Sequence, residues 1–504
     1  MTEAGRATAK IMLPAEAATA RLAQDIAAAL RPGDILALSG NLGTGKSVLA
    51  RAAIRALAGQ PDLTVPSPTF ALRIEYPLDR FAITHVDLYR LTEDQEIDEL
   101  GLHEALETGA LIIEWPDRLR RPLSAERLDV VLEEENGGRL AIITPHGTWP
   151  ARLARSRLIR TFLDAAGWQN GCRVPIIGDA SAKAFERVTL NHRTAILMNA
   201  SEQPVSPLLD DGRSYDAVAH RARAVGPFIA IDAELRRRGV HAPEILAADN
   251  GAGLVLLEDL GNEGIVDAGG RAILPRYEAA IDLLLAIHGQ DWPPVASAAG
   301  GVSHAVPSYD HEALLIEISL FADWFAGQGG RPNWSAADRE GFLAAWRTVL
   351  QDLDAGSKTV SETWVLRDFH SPNILWLAGE SGLGRVGVID FQDTLRGHAA
   401  YDVASLAQDA RVALSPGEET ALKARYIDGR KAADPAFDAT AFEAAYAVFG
   451  AQRASKILGA FSRLASIGGK PGYLQHIDRV KEILKRNLSH PVLSTLRLWY
   501  APFL

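Results

Sequence analysis

A single cysteine, Cys172, in 504 residues excludes an intramolecular disulfide and any cysteine-based zinc cluster. Long apolar runs are missing too, and every candidate falls far short of the ~20 residues that a membrane helix requires. There is no basic excess: 52 Lys and Arg against 63 Asp and Glu leave a net charge of −11, which argues against an extended nucleic-acid surface of the chain's own. The alanine-rich start is broken by Glu3, Arg6, Lys10 and Glu16, so no signal-peptide core and no membrane partner are expected, and a cytoplasmic protein is the default. Internal repeats and low-complexity tracts are absent. What is present is ordinary for a globular chain, with 47% hydrophobic and 23% charged residues, and the length predicts two to four domains.

The chain divides near His146–Arg157, where Gly147 and Pro150 punctuate a basic stretch. Up to Pro145 there are 15 basic and 22 acidic residues, so the acidity is denser in this first part. The expected domains are 1–148 and 155–504. In the first, Ala15–Leu30 reads as a helix, Asp34–Ser39 as a buried strand and Ser47–Leu57 as a second helix. Ile83–Leu88, Ala110–Glu114 and Leu128–Leu132 are further strand candidates, which together predict an α/β unit with a mostly parallel sheet.

Gly40-Asn-Leu-Gly-Thr-Gly-Lys46-Ser47 satisfies G-x-x-x-x-G-K-S/T directly after a strand and before a helix. Gly40, Gly43 and Gly45 let backbone N–H groups of the loop, Thr44 through Val48, turn inward around phosphate oxygens at a helix N-terminus. Lys46 would reach the β- and γ-phosphates of ATP and Ser47 would hold Mg²⁺. Asp87 and Glu114 each end an apolar strand, the position for a Mg²⁺ ligand or for a group that handles the attacking water.

Together with Leu13–Thr19, Ser67-Pro-Thr-Phe70, His85–Leu91 and Glu114-Trp-Pro116, this loop resembles the TsaE family of bacterial ATPases over residues 11–145. The resemblance implies a P-loop NTPase that serves threonylcarbamoyl modification of adenosine 37 in tRNA. It implies docking on TsaB and TsaD-type partners and contact with tRNA only through that complex. Carried over, Gly43–Val48 bind phosphates, Ser47 and Glu114 the magnesium, Asp87 and Lys46 serve hydrolysis, and Thr69 belongs to a switch-like segment that senses the γ-phosphate. Trp115 either gates the site or packs beside it, and Asn41 stands where the family usually has Asp.

In the second part, Ile176–Leu190 and Arg193–Asn199 look like a β-hairpin pair, with a helix at Pro227–Arg238 and a strand at Gly253–Leu257 that runs into Glu258. The remainder reads mainly helical. Its chemistry lies in Trp364-Val-Leu-Arg-Asp368-Phe-His-Ser-Pro-Asn373 and in Val386-Gly-Val-Ile-Asp390. D-x-x-x-x-N followed by an Asp that ends an apolar strand is the spacing of a phosphotransferase loop. Asp368 would orient or deprotonate an acceptor hydroxyl, while Asn373 and Asp390 would ligate Mg²⁺ that bridges the ATP phosphates.

These residues resemble aminoglycoside phosphotransferase-like kinases, and Gly178–Ser181, Val306–Asp310, Glu317–Trp324, Tyr401–Ser405 and Gln452–Gly459 narrow the likeness to the AmgK amino-sugar kinases over roughly 155–500. That implies an α+β bilobal, protein-kinase-like domain, with an N-lobe over about 155–262 and a C-lobe over 263–504, and a small-molecule sugar acceptor, N-acetylmuramate or N-acetylglucosamine. Two departures stand out. Leu366 occupies a position that is often His, so a structural hydrogen bond is missing. The strand Ala195–Met198 lacks the kinase lysine, for which Lys183 or Arg187 could substitute, or without which nucleotide binding would be weak. Glu258, at the hinge of the kinase-like lobe, is expected to contact the nucleotide. Asp402 is expected to brace the catalytic loop, Arg453 to be a surface helix residue rather than to bind an acidic sugar group, and His370 either to lie near the acceptor or to pack the loop. A different hydroxyl acceptor, or a pseudokinase-type binding module, stays open for this half, as does a P-loop small-molecule kinase for the first.

Overall fold

The computed structural model describes residues 8–504 except 70, 92–95, 98, 120–123, 177–182, 202–205, 207, 210, 328–333 and 357–361. Phe70 and the expected motif Gly178–Ser181 therefore lie outside the described residues. The chain forms two compact units, Met1–Ala200 with Leu246–Asp259, and Ser201–Ile245 with Leu260–Leu504.

The first unit opens with β1 (Ala9–Leu13), α1 (Glu16–Ala29), β2 (Ile35–Ser39), α2 (Lys46–Ala58), β3 (Arg73–Tyr76), β4 (Ala82–Asp87), β5 (Gly109–Glu114), β6 (Arg127–Glu135) and β7 (Gly138–Pro145). They build a seven-stranded sheet in the order β1-β7-β6-β2-β5-β4-β3. The centre, β6-β2-β5-β4, is parallel, and β3 and β7 join it antiparallel. Alternate residues of β2 serve opposite faces: Leu36 and Leu38 share a core with Ile26 of α1 and Leu49 of α2. Ile35 and Ala37 share the other with Val86, Leu111 and the helix Leu102–Thr108. Strands buried on both faces read as continuous apolar runs, which is why the central strands are visible in the sequence. Asn136 and Gly137, both at positive φ (50° and 79°), make the two-residue turn of the β6–β7 hairpin.

Residues 149–154, between the two expected domains, form the first turns of one continuous helix, Trp149–Ala165. Pro150 falls in its first turn, where no N–H is needed. A second sheet follows, built from β8 (Cys172–Ile176), β9 (Ala184–Leu190), β10 (Arg193–Asn199), β11 (Ile245–Asp249) and β12 (Leu254–Glu258) in the order β11-β12-β10-β9-β8. Ile159 and Leu163 of the helix pack on it against Val188, Leu197 and Leu256.

The second unit is mainly helical. Its principal helices are Gly226–Arg237, Leu274–His288, His311–Leu320, Ala336–Gly356, Ala400–Ala407, Pro416–Ala433, Ala439–Ser466 and Ile477–Leu488. Three antiparallel pairs complete it: β13 (Val295–Ser297) with β14 (Ser303–Ala305), β15 (Thr363–Val365) with β18 (Leu395–Gly397), and β16 (Ile374–Trp376) with β17 (Val386–Val388). No helix among the described residues is long and apolar enough to cross a membrane.

The 28-residue helix Ala439–Ser466 runs through this unit, and Gly459 lets it approach the end of helix His311–Leu320. A Cβ on Gly459 would stand 2.1 Å from the Leu320 carbonyl carbon and 2.2 Å from its oxygen, both backbone atoms that cannot step aside. Gly459→Ala is expected to cost roughly 1–3 kcal/mol through forced separation of the helices, measured as a lower urea midpoint with the fold retained.

Candidate active sites

The register of the parallel strands assembles the first site. Leu38 lies opposite Glu114, and Glu114 opposite Asp87, so β2, β5 and β4 end side by side where the glycine loop leaves β2. The carboxyl ends of parallel strands are where α/β sheets bind ligands. Gly40 (φ 136°), Gly43 (φ 82°) and Gly45 (φ 102°) all take conformations that favour glycine. At Gly40 a Cβ would also stand 2.3 Å from the Leu132 carbonyl oxygen. The Thr44 hydroxyl donates to the Asn41 carbonyl (2.9 Å), and the Arg139 guanidinium donates to the Thr44 and Gly43 carbonyls (3.1 and 3.4 Å), fixing the loop from β7.

Lys46 Nζ donates to the carbonyls of Gly40 (2.8 Å) and Asn41 (2.9 Å) and stands 4.0 Å from the centre of the Trp115 ring. Trp115 reaches this place because it leaves β5 at φ 60°, and Tyr89 supports it at 4.9 Å between ring centres. A cation over an indole face is worth ~0.5–2 kcal/mol, so Trp115 packs on the lysine itself. Burial pushes the Lys46 ammonium below its usual range, while Glu114 and Asp87 oppose that shift. Val48 continues α2 from Lys46 and Ser47, and Thr69 exchanges a 2.8 Å hydrogen bond with Ser67.

Ser47 Oγ donates to Glu114 Oε2 at 2.8 Å, and His85 Nε2 lies 3.0 Å from Glu114 Oε1. His85 and Glu114 are almost wholly buried, at 1% and 2% side-chain exposure. His85 received no role in the sequence reading. The signal is its place two residues before Asp87, which puts both side chains on one face of β4. Burial raises the Asp87 carboxyl above its usual range, against the backbone N–H of Tyr89 that donates to its Oδ1 at 2.9 Å.

The second site hangs on the β16–β17 pair. Ile374 faces Val388, and the Ile389 N–H donates to the Asn373 carbonyl (3.0 Å), which brings Asn373 beside Asp390. Asp390 sits at φ 60°, and Gln392 Nε2 donates to its Oδ1 at 3.0 Å. Asn373 Nδ2 donates to the Asp368 carbonyl at 3.0 Å and leaves its side-chain oxygen facing away from that bond. Asp402 accepts the N–H groups of Leu366 (2.6 Å) and Arg367 (2.9 Å), so the loop is braced from its backbone although Leu366 offers no side-chain hydrogen bond.

Arg367 holds φ 68° immediately before Asp368, and its guanidinium is tied to Glu317. Glu317 is fully buried and also takes Lys456 Nζ (2.7 Å), Tyr309 OH and Gln452 Nε2 (3.0 Å). Burial would raise its carboxyl, but Arg367 and Lys456 outweigh burial and hold it well below the usual range. The expectation that Arg453 is a surface residue is corrected. Arg453 is buried, its Nη1 donates to the Arg367 carbonyl (3.0 Å) and lies 3.8 Å from Asp368 Oδ1. Burial alone would raise Asp368; Lys456 and Arg453 bring it down to about 2. His370 is half-buried, with burial lowering it to about 4.

Of the remaining expected residues, Lys183 is half-buried just before β9, Glu258 ends β12 opposite Ala195, and Arg187 forms a 2.8 Å ion pair with Asp259. All three belong to the first unit, whereas Asp368, Asn373 and Asp390 belong to the second. Among the described residues no three His, Cys, Asp or Glu side chains converge as a metal cage. Pairs of hard oxygen donors, Ser47 with Glu114 and Asn373 with Asp390, fit Mg²⁺, which takes one or two protein ligands and completes its shell with phosphates and water.

A glycine loop backed by paired carboxylates, and a D-x-x-x-x-N loop beside a strand-end Asp, define a chain with two phosphate-directed sites. Comparison with known proteins gives the families. The model of the threonylcarbamoyl adenosine biosynthesis protein TsaE matches residues 13–141, and that of the phosphotransferase enzyme family matches residues 173–437. The N-acetylmuramate/N-acetylglucosamine kinase of Caulobacter vibrioides is 35% identical over 355 residues, 67% of this chain and 94% of the relative. The kinase of the same name from Pseudomonas aeruginosa is 30% identical over 314 residues, 61% of this chain and 80% of the relative. The tRNA threonylcarbamoyladenosine biosynthesis protein TsaE of Rickettsia conorii is 40% identical over 136 residues, 27% of this chain and 77% of the relative. The chain belongs to the TsaE family in its N-terminal part and to the phosphotransferase enzyme family in its C-terminal part.

The helix that carries Asp402 begins beside a second depressed histidine. Burial lowers His398 to about 4; its Nδ1 accepts the Ala400 N–H (3.0 Å), and Phe442 and Phe449 flank its ring. In the unfolded chain a histidine takes its proton near pH 6.5. The unfolded state therefore binds more protons between about pH 6.5 and 4, and stability is complete above that window and lost on acidification through it. His398→Phe is expected to narrow the difference in urea stability between pH 7 and pH 5, removing a slope of roughly 1.4 kcal/mol per pH unit.

Proposed function

We propose that the chain is a bifunctional enzyme, an ATPase that serves threonylcarbamoyl modification of tRNA fused to an ATP-dependent kinase for the anomeric hydroxyl of N-acetylmuramate or N-acetylglucosamine. The ATPase part is a P-loop NTPase ending near residue 148, and the kinase part begins near 155. The observation that carries the first half is the Ser47–Glu114–His85 chain set against the glycine loop at the ends of β2, β4 and β5. Lys46 and the loop amides bind the ATP phosphates, and Ser47 and Glu114 hold Mg²⁺, which would neutralise phosphate charge when bound. Asp87, raised by burial, orients the attacking water and accepts its proton. The site supplies a hydrolytic switch, and its output passes through TsaB and TsaD-type partners. Tight coupling of Lys46 to Trp115 makes Trp115 the reporter of loop occupancy.

In the kinase half, the carrying observation is Asp368 held by a braced backbone next to Asn373 and Asp390. A carboxylate brought down to about 2 is a weak base. Phosphoryl transfer passes through a loose transition state in which the acceptor proton is lost late, so positioning of the hydroxyl matters more than base strength. Asp368 therefore orients the sugar hydroxyl, and Asn373 and Asp390 hold the second Mg²⁺ site.

Lys46→Ala is expected to abolish partner-stimulated ATP hydrolysis while sugar phosphorylation persists. Asp368→Asn is expected to lower kcat for N-acetylmuramate by ~10²–10⁴-fold with hydrolysis by the first site unchanged. Coupled assays of ADP release with N-acetylmuramate, N-acetylglucosamine, choline and an aminoglycoside check both. No phosphoryl transfer to either amino sugar would overturn the kinase assignment, and hydrolysis that survives Lys46→Ala would overturn the other.

A further inference from the structure

Helix Trp149–Ala165 presents one buried face that meets two cores in succession along its length. Trp149 and Leu153 belong to the core of the large sheet together with Ile26 and Ala27 of α1. On that same side Arg152 donates to the Ala29 carbonyl (2.8 Å) and to Asp34, and Ser156 Oγ donates to the Asp25 carbonyl (3.0 Å). The later turns hold the second sheet: Ile159 and Leu163 fill its core, and Arg155 reaches Asn199 Oδ1 (2.9 Å) and the Ala252 carbonyl (2.6 Å).

A charge cluster ties α1 directly to that sheet. Asp25 Oδ1 accepts from Arg160 (2.8 Å) and from Arg173 on β8 (2.9 Å), and Arg173 is bidentate to Glu186 on β9 (2.6 and 2.9 Å). Arg173 is 1% exposed, and among the described residues its charge is balanced by these two carboxylates, one from each sheet's domain. One turn away from Asp25 on α1, Arg21 reaches Asp164 (2.7 Å) and Asn170 (3.1 Å). The far end of α2 closes the contact. Gly59, its C-cap at φ 62°, has Val174 of β8 so near that a Cβ would stand 2.9 Å from the valine methyl. β8 is the outer strand of its sheet, and an outer strand needs a cover.

We infer that the ATPase part is the permanent structural partner of the kinase's small sheet, with α1 and the end of α2 covering β8, so that the two fold and unfold as one cooperative body. This rests on the proposed division of the chain only for the names of its halves. Two autonomous domains on a tether would put neither a buried shared arginine nor a common helix between them. The covered face of α1 is thereby closed to any other protein, and partners of the ATPase dock elsewhere on it.

Hydrogen exchange on the full chain tests this. Leu111→Ala opens a cavity on the face of the large sheet that α1 and α2 do not cover. The inference expects amide exchange in β9 and β10 to accelerate by the same factor as in α1, at least about tenfold. Wild-type exchange in β9 and β10 beside faster exchange in β5 and α1 would overturn it. Should Leu111→Ala fail to fold, Asp25→Asn keeps the shape and removes the charge from Arg160 and Arg173. Faster exchange in both α1 and β8–β9 supports the shared body, and an effect confined to α1 refutes it. The outcome leaves the two catalytic assignments untouched, since neither Leu111 nor Asp25 belongs to a site.

Discussion

A carboxylate taken out of water costs several kcal/mol unless the protein replaces its hydration with charge or hydrogen bonds. Four acids show how this chain meets that demand, and the rest of the functional geometry depends on how they do so. Glu114 is answered by Ser47 and His85, Asp402 by two backbone N–H groups, Glu317 by Arg367 and Lys456, and Asp25 by Arg160 and Arg173. In each case the partner is a residue whose placement matters beyond the pairing. Ser47 stands at the head of the phosphate-loop helix, Arg367 immediately precedes Asp368, and Arg173 lies on the outer strand of the second sheet. Desolvation makes these contacts obligatory, so the same contacts locate the sites.

Both sites then share a style of chemistry. Neither relies on a strongly basic group: Asp87 is raised modestly by burial, and Asp368 is driven down by neighbouring cations. Phosphoryl transfer tolerates this because its transition state asks for position and charge neutralisation more than for proton abstraction. Rigid supports are the natural investment. The left-handed conformations at Trp115, Arg367 and Asp390 are local strain of ~1–3 kcal/mol each, held in place by the Lys46 contact, by Glu317 and by the β16–β17 pairing.

What was legible in the sequence is what is contiguous in it. Gly40–Ser47 and Asp368–Asn373 show themselves because loop function compresses several roles into a few neighbouring positions, and strands buried on both faces show as apolar runs. β3, at the border of the large sheet and partly exposed, left no such run. Apart from Asp402, expected to brace the catalytic loop, the supports were hidden for a different reason, since each answers a residue far along the chain. Glu317 was detectable only as a charge inside the apolar stretch Leu314–Phe321, and nothing local pointed to Arg367 as its partner. Arg453 misled because Ala439–Ser466 is buried around much of its circumference, so alanines on every side removed the polar face by which a surface arginine is recognised. Leu366 offers the loop no side-chain bond, and Asp402 supports that loop through the backbone, indifferent to the side chain there.

The segment between the two halves shows why they are not joined by a tether. A flexible linker is polar, rich in Gly or Ser, and makes no lasting contacts. Trp149–Ala165 begins with Gly147 and Pro150 nearby, the punctuation of a linker, yet proline in a first turn favours a helix, and the buried apolar residues that follow line one continuous face. Its first turns lie in the core of the large sheet and its later turns in that of the small sheet, so burying the whole face requires both. Arg152, Arg155 and Arg160 extend the same logic to charge: Arg152 is anchored on the large-sheet domain, Arg155 on the small sheet, and Arg160 on both, through Asp25 and the Gly171 carbonyl just before β8. The basic character of this stretch, the reverse of the acidic domain before it, therefore reflects the carboxylates and carbonyls it must neutralise inside the protein, and not an outside partner.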